Sequence, residues 1–282
     1  MRKSIFDIVS STVDMAGEVK RLLVMSRNET VLIAEYGIKC NLFDFVDRYC
    51  FKEWSARQHF LNVDDFLTAL NFNSLYHDAL NNVDSLLTLI ELIYNFWELS
   101  YQKLDDTFLP VEWVGNYYHL KDVMDDLLDQ YNHKAYIDED NDCVLVIEDK
   151  SEVSSVAEIV PENLSLSVIK YNHRSLQGDL NAKKSILVAL GAELEPRRKE
   201  LQDLNKQLTS DIFFMLNNMN IRHNNRSKRE PAKYKDYVAK MKYDRLEKWY
   251  DELYQMILLA FLLLDNVSRQ KSVADLKSKI GG

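Results

Sequence analysis

Apolar side chains that recur at steps of three and four residues constrain the fold of this chain more than any other sequence feature. The clearest series is Trp113, Tyr117, Leu120, Met124, Leu127 and Tyr131. This spacing gathers apolar groups on one side of an α-helix and leaves the other side to solvent. With only seven Gly and four Pro in 282 residues, turns are few and elements are long. The sequence therefore predicts a mainly α protein that folds as a multi-helix bundle.

The same periodicity predicts three further long helices. They cover Val83–Tyr101, Leu201–Met219 and Tyr243–Asn266. A helix over Leu180–Glu195 must end or kink at Pro196, because proline cannot donate a backbone hydrogen bond to the residue four positions back. Asn62 stands where an N-cap belongs, since an Asn side chain can accept from the free amides of a first helical turn.

Residues 134–148 depart from the helical pattern. Two β-prone runs flank an Asp/Asn cluster between Asp138 and Asp142, and this arrangement predicts a β-hairpin near the middle of the chain. A lone hairpin is only marginally stable in water, so we expect it to pack on the helices. The predicted organisation is an N-terminal helical half (1–132), a hairpin and connector (133–160), a C-terminal helical half (161–270) and a tail (271–282).

Cysteine spacing and apolar run length exclude several classes of protein. The three cysteines, Cys40, Cys50 and Cys143, form neither a CxxC pair nor a spaced quartet, so we expect buried or half-buried free thiols. The longest apolar run, Met256–Leu264, is too short to span a bilayer. Because Asp7 also interrupts the apolar stretch after the basic N-terminus, we expect a cytoplasmic protein with no membrane partner.

Signatures of cofactor and metal sites are missing as well. The sequence contains no Gly-rich phosphate loop, Gly-x-Ser-x-Gly elbow or His-Glu-x-x-His helix. Asp138, Asp140 and Asp142 alternate as calcium-loop ligands do, but Cys143 stands where such a loop needs glycine. We therefore favour a hairpin tip over a calcium site, and predict neither a metal nor a cofactor.

The formal net charge of −9 is unevenly distributed along the chain. Residues 105–163 carry a net charge of −13, whereas residues 220–248 carry a net charge of +6. A protein that is acidic on average therefore has one basic segment, which we place between the last two long helices, at Asn217–Lys248. Opposed charge on one chain suits either an anionic ligand or oriented assembly.

The start of this basic segment is unusually rich in Asn around the pair Arg222-His223. Helix propensity does not favour Asn at a helix end, so another requirement has selected these residues. One interpretation is a helix C-cap followed by a solvated basic loop, and the other is a functional site. The candidate catalytic residues are Arg222 and His223, and the candidate binding residues are Asn220, Asn224, Asn225, Arg226, Lys228 and Arg229.

The segment resembles the motif-bearing helix of the HEPN superfamily, whose α-helical bundles occur in toxin, phage-defence and RNA-processing systems. Members carry an Arg, then a polar residue, and a His several positions later, on a helix that pairs with its copy in a dimer. Arg222 and His223 match the first two places, but Ser227, Lys228 and Arg229 occupy the positions of the later His. The resemblance covers Asp179 to Asp265.

This resemblance implies a metal-independent endoribonuclease that forms a homodimer. Because the later His is missing, either His223 acts as the general acid or base, with Arg222 stabilising the phosphorane charge, or the protein is a non-catalytic member. The wider stretch from Tyr171 to Tyr254 also resembles bacterial proteins of abortive-infection or defence loci.

Two hypotheses follow. The first is a bacterial defence-type or toxin-type protein that binds RNA or another phosphate-bearing partner through the Asn/Arg/His segment. The second is a non-enzymatic interaction subunit of a larger complex, in which the acidic and basic segments contact different proteins or a second copy.

Overall fold

The computed structural model describes residues 14–28, 31–33, 38–103, 111–113 and 117–281. The prediction of a mainly α protein with one hairpin near its middle is confirmed. The chain divides into two compact units, an N-terminal unit (Met1–Glu148) and a C-terminal unit (Asp149–Gly282). The division lies inside the predicted connector 133–160. The segment before Asp14, which includes Asp7 and the basic N-terminus, lies outside the described residues.

The N-terminal unit contains helices and short strands. Its helices are α1 (Met15–Arg27), α2 (Leu42–Phe45), α3 (Val63–Ala69), α4 (Phe72–Ala79), α5 (Val83–Gln102) and α6 (Tyr117–Gln130). Its strands are β1 (Val31–Ile33), β2 (Ile38–Cys40), β3 (Val111–Trp113), β4 (His133–Asp138) and β5 (Cys143–Glu148). A π-helical turn (Val46–Cys50) and a 3₁₀ turn (Ser55–Arg57) complete the described elements.

Helix α5 forms the centre of the N-terminal unit. Its Phe96 ring lies edge-on to the rings of Phe43 and Trp54, with centroids 5.1 and 6.2 Å away. Asn62 caps α3 as predicted, since its side chain accepts from the backbone of Asp65 at 2.8 Å. Apolar side chains cover more than one face of α5, which explains why the helix is buried along most of its length.

The predicted hairpin is formed by antiparallel pairing of β4 with β5, and it packs on α5. Asn95 of α5 fixes it: the Asn95 amide donates to the carbonyl of Val144 and accepts from the amide of Val144, both at 2.8 Å. The carboxylate of Glu91, one turn earlier, accepts from the amide of Val146 at 2.7 Å. Helix side chains thus satisfy the backbone of the strand, and the hairpin does not stand alone.

Two features of the N-terminal unit differ from the prediction. Strands β2, β1 and β3 form a second, three-stranded antiparallel sheet that the hydrophobic pattern did not indicate. Trp113, counted as the first apolar position of a helix, belongs to β3 and pairs with Val31. The helix begins only at Tyr117. Trp113 lies four residues earlier, which is the spacing of two positions on one helix face, but it belongs to the strand that precedes the helix.

The C-terminal unit is built from helices. They are α7 (Ser151–Ile159), α8 (Glu162–Lys170), α9 (Leu180–Leu194), α10 (Arg198–Leu204), α11 (Lys206–Asn218), α12 (Asp236–Ala239) and α13 (Tyr243–Gly281). Helix α9 ends where predicted, and Pro196 lies in a 3₁₀ turn, Glu195–Arg197. Helix α13 packs against α7, α9, α10 and α11 through its buried apolar residues, and so forms the core of this unit.

Two boundaries in the C-terminal unit correct the prediction. The single helix expected over Leu201–Met219 is two helices, because Asn205 leaves the helical conformation and caps α11 by accepting from the amide of Leu208 at 3.0 Å. Helix α13, expected to end at Asn266, continues to Gly281 with its last turns exposed.

The described residues also bear on the expected thiols and on membrane insertion. Cys40 and Cys50 are buried and Cys143 is half-buried, as predicted, and no disulfide joins these cysteines. Burial raises the pKa of the Cys50 thiol to about 12.

Among the described helices, none is both long enough and apolar enough to cross a bilayer.

Candidate functional site

The Asn-rich end of α11 has a structural role that the sequence left open. Asn220 adopts a left-handed backbone conformation with φ of +63°, which Asn tolerates better than most residues do. The backbone N–H of Arg222 donates to the carbonyl of Leu216 at 2.9 Å, and the chain thereby reverses at the helix end. Asn218 donates its side-chain amide to the carbonyl of Phe214 at 2.8 Å. Helix termination therefore accounts for part of the Asn content.

Asn225 is the anchor of the loop that follows. Its side chain is fully buried, and its Oδ1 accepts from the backbone N–H of Asn220 at 2.8 Å. Its Nδ2 donates to the carbonyls of Asn217 at 3.2 Å and Lys233 at 2.7 Å. One amide thus joins three backbone segments. Asn225, predicted as a binding residue, is occupied by these contacts, and it holds the loop rather than facing a ligand.

Arg222 is held by an ion pair on the same unit. Its guanidinium donates to the Glu195 carboxylate at 2.6 Å and to the carbonyl of Gly191 at 2.9 Å, and lies over the Phe213 ring. Glycine at position 191 permits the Leu216 side chain to pack closely beside this contact, because a Cβ there would lie only 2.8 Å from it. The charge of Arg222 is therefore balanced by Glu195.

The remaining candidates of the loop make few contacts with the rest of the unit. The ring of His223 is half-buried and makes no hydrogen bond or ion pair within the described part of the chain, and Asn224 is exposed. Lys228 and Arg229 are exposed too, with the Lys228 ammonium 5.8 Å from the centroid of the Tyr234 ring.

Arg226 differs from Arg222 in what its guanidinium contacts. Nη2 donates to the carbonyl of Met241 at 3.2 Å, and the guanidinium lies 4.6 Å from the centroid of the Tyr243 ring. Nη1 is buried but has no hydrogen-bond partner among the described residues. The charge of Arg226 is likewise unpaired, since no carboxylate of the described residues forms an ion pair with it. Arg226 is therefore a half-buried cation without an ionic partner, and it attracts an anion that comes near it.

A second unpartnered atom belongs to another residue of the same loop. The side-chain Oδ1 of Asn220 is buried without a donor among the described residues. Asn220 and Arg226 both line one cavity of about 510 Å³, which we call the Arg226 cavity. Its other lining residues come from the start of α9 and the start of α13: Gly178, Asp179, Leu180, Asn181, Lys184, Tyr243, Leu246 and Tyr250.

The electrostatics of the Arg226 cavity favour an anion. Lys184 is half-buried and forms no ion pair with another described residue, so it adds a second cation to that of Arg226. Asp179 is the one acidic lining residue, and its Oδ1 already accepts from the amides of Asn181 and Ala182 at the start of α9. The net charge of the lining side chains is therefore positive.

Two tyrosines shape the wall formed by α13. Tyr250 is buried, its hydroxyl donates to the carbonyl of Asn220 at 3.2 Å, and burial raises its pKa to about 12. Tyr250 is therefore neutral and fixes the backbone of Asn220 at ordinary pH. Tyr243 is 69% exposed and presents its ring at the cavity. The wall thus combines a rigid polar contact with an accessible aromatic face.

Buried ionic contacts hold α9 against α13 beneath the cavity. Lys183 is 6% exposed, and its ammonium contacts the carboxylates of Glu247 at 2.8 Å and Asp251 at 2.7 Å. Glu247 also accepts from the amide of Gly178, a lining residue, at 2.7 Å. Burial disfavours the Glu247 carboxylate, but the bonds from Lys183 and Gly178 outweigh it and hold its pKa below the ordinary value. This network positions Lys184, the next residue of α9.

The structure therefore joins two of the predicted residues, Asn220 and Arg226, with residues that the sequence did not indicate. Lys184 was missed because it lies on a separate helix, and only the packing of α9 brings it close. Tyr243 lies inside the basic segment Asn217–Lys248, so its exposed position in that segment was the available signal. The described residues contain no group of three His, Cys, Asp or Glu side chains placed to hold a metal ion. No protein-family model, curated protein or solved structure matches the chain.

Proposed function

We propose that the protein binds single-stranded RNA, with the Arg226 cavity on its C-terminal unit as the principal contact. The observation that carries this proposal is one cavity lined by two cations, Arg226 and Lys184, that form no ion pair with any described residue. An RNA phosphate supplies the negative charge that these two side chains lack, and this attraction does not depend on sequence. The exposed Tyr243 ring offers a surface on which a base can stack.

Resemblance supports a role for this binding in bacterial defence or toxin action. The segment from Asp179 to Asp265 contains every residue that lines the Arg226 cavity except Gly178, and it is the segment that resembles the HEPN bundles. RNA is the target that this resemblance suggests. The proposal accordingly places RNA binding and the HEPN-like bundle on the same unit.

We propose binding rather than cleavage as the activity. Cleavage by Arg222 and His223 would require an arginine free to stabilise a phosphorane, whereas Arg222 is paired with Glu195 at 2.6 Å. Replacing His223 with Ala tests the cleavage hypothesis with a labelled RNA in the presence of EDTA. Degradation by the wild type but not by His223→Ala would show that the protein cleaves RNA through His223. We expect the RNA to remain intact with both proteins.

Binding itself is tested by fluorescence anisotropy with a short labelled single-stranded RNA. Lys184→Gln removes one cation from the cavity, and we expect weaker binding and a shallower dependence of affinity on salt, by about 0.7 in the log–log slope for one lost phosphate contact. Lys271→Gln is the matched control, since Lys271 is an exposed lysine of α13 that does not line the cavity. Equal loss in both variants, or no RNA binding by the wild type, would refute the proposal.

A second candidate function is assembly with a second copy, and a stripe on α13 favours it. The exposed large aliphatic residues of α13 fall on a single heptad register, at Leu259, Val273, Leu276 and Ile280. Asn266 also falls on a core position of this register. When the Asn side chains of two helices meet at such a position, they favour a two-stranded coiled coil and fix how the two helices are aligned. Arg269, also at a core position, is paired with Asp265 of its own helix.

Light scattering after gel filtration tests this assembly. Leu276→Asp introduces a charge into the stripe, and we expect it to convert a dimer into a monomer. Ala274→Asp is the control, because Ala274 is exposed on α13 but lies off the stripe. A wild-type monomer at high protein concentration would remove the assembly hypothesis and leave RNA binding unaffected.

A further inference from the structure

Three exposed aromatic side chains of the C-terminal unit gather at one apolar groove. Phe214 of α11, Tyr237 of α12 and Trp249 of α13 are 62%, 63% and 41% exposed, and all three line a groove of about 380 Å³, which we call the Trp249 groove. Tyr243 is the one other exposed aromatic residue in the described part of this unit. Exposed apolar side chains that converge from separate helices are typical of a binding site, whereas scattered ones are not.

We propose that the Trp249 groove binds a small aromatic carboxylate, a role that goes beyond RNA binding at the Arg226 cavity. Besides the three aromatic side chains, the buried methionines Met215, Met219 and Met241 line the groove. Thioether side chains are flexible and make favourable contacts with aromatic rings, so this lining can adapt to a planar ligand. Contacts between rings add to the gain from burying apolar surface. The lining therefore favours an aromatic ligand over an aliphatic one.

Charge complementarity indicates that the ligand is an acid. Lys235 is exposed, and it is the one charged residue among the described residues that line the groove. Its ammonium forms no ion pair with another described residue. The backbone N–H of Lys235 donates to the carbonyl of Asn225 at 2.8 Å, which fixes the point from which its long side chain extends. A carboxylate can meet this cation in solvent while the ring of the ligand lies among apolar side chains.

The size of the groove favours a small molecule over a protein segment. Its lining residues on α11 run from Phe214 to Met219, less than two helical turns at ~3.6 residues per turn. A stable protein–protein interface buries roughly 800 Å² on each partner and needs a larger surface than this. The volume of about 380 Å³ lies near the lower end of the range of small-molecule sites, roughly 300–1,000 Å³.

Calorimetric titration with 2-naphthoate tests the proposal, and 2-naphthamide is the matched ligand without a charge. We expect the wild type to bind the acid about three-fold more tightly than the amide, the gain of one exposed ion pair. Lys235→Gln should bind both ligands equally, because it removes the ammonium and keeps the backbone bond to Asn225. Lys242→Gln is the matched control: Lys242 is exposed, does not line the groove, and should retain the preference for the acid.

Phe214→Ala tests the aromatic lining. We expect it to weaken the binding of both ligands about ten-fold, because the ring of Phe214 is lost from the groove. Leu204→Ala is the control, since Leu204 is an exposed apolar residue of the same unit that does not line the groove, and it should leave both affinities unchanged. Both side chains are exposed, so both variants should fold, and circular dichroism checks this.

Methyl NMR of labelled methionines locates the ligand without any substitution in the groove. We expect the methyl resonances of Met215, Met219 and Met241 to shift when 2-naphthoate is added, because an aromatic ring changes the chemical shift of nearby methyl groups. The resonances of Met25 and Met124, which belong to the N-terminal unit, should stay in place.

Four results would each overturn the inference. They are no binding of 2-naphthoate, unchanged resonances of the three groove methionines, a full preference for the acid in Lys235→Gln, and octanoate that binds as tightly as 2-naphthoate. The last result would refute an aromatic ligand in particular, because octanoate has the carboxylate but no ring. None of them bears on RNA binding, since the Trp249 groove and the Arg226 cavity share no lining residue.

Discussion

Replacing Asn225 with alanine is the most direct test of how the loop beside the Arg226 cavity is held. The substitution removes three hydrogen bonds from a fully buried side chain, those to the backbone of Asn220, Asn217 and Lys233. Each such bond contributes about 1 kcal/mol, so the expected loss in the free energy of unfolding of the C-terminal unit is about 3 kcal/mol. Asn224→Ala removes an exposed amide and should change the free energy of unfolding by less than about 0.5 kcal/mol.

Urea denaturation followed by far-ultraviolet circular dichroism measures the difference between the two variants. Trp249 is the one tryptophan of the C-terminal unit, so the difference in emission between the chain with Trp249 and its Trp249→Phe counterpart reports the unfolding of this unit. Hydrogen exchange should show faster exchange at the amides of Asn220 and Lys235 in Asn225→Ala, because the first donates to the lost side chain and the second to the backbone of the same residue. If both variants unfold at the same urea concentration, Asn225 does not anchor the loop and the explanation is wrong.

Three further perturbations test other parts of the structure. Gly191→Ala should destabilise the C-terminal unit by about 1–3 kcal/mol in thermal melts, since the new methyl group would meet Leu216 at 2.8 Å. The control Ala192→Gly should cost only about 1 kcal/mol, because it is an ordinary substitution within a helix. Asn95→Ala should cost the N-terminal unit about 2 kcal/mol, because two bonds to Val144 are lost; an unchanged urea midpoint would contradict this. The folded-state pKa of Glu247 is below its ordinary value, so its ionised form stabilises the fold above the unfolded pKa, and that stability is lost as pH falls through the folded value. Melting temperatures of Glu247→Gln measured across acid pH should therefore depend less steeply on pH than those of the wild type.

The long helices could be predicted because their apolar periodicity and their caps are local properties of the chain. Helix α5 and the cap at Asn62 were found in this way. The break at Asn205 was missed because the apolar positions keep their spacing across it, and only the backbone of Asn205 leaves the helix. The strand at Trp113 was missed for a related reason, since its partner β1 lies far away in sequence.

The candidate site was harder to predict because residues of one type, close in sequence, take different roles. Asn224 and Asn225 are adjacent, yet the first is exposed and the second is the buried anchor of the loop. No local rule separates them, because the difference depends on where the backbone of Lys233 returns to accept a bond. The many Asn residues did indicate an unusual backbone conformation in this segment. In the structure most of them end helix α11 or hold the loop that follows it.

The two arginines of the loop show why charge alone does not locate a phosphate site. Arg222 and Arg226 stand four residues apart, and the sequence ranks Arg222 first because of its neighbour His223. In the structure Glu195, which lies on a turn after α9, balances the charge of Arg222, while Arg226 faces a cavity with Lys184 and has one nitrogen without an acceptor. A phosphate at Arg222 would compete with an ion pair already made, whereas at Arg226 it would meet a cation that has no ionic partner among the described residues. The cation best suited to a phosphate is therefore Arg226, and variants of the Arg226 cavity should change RNA affinity more than variants of Arg222 or His223 do.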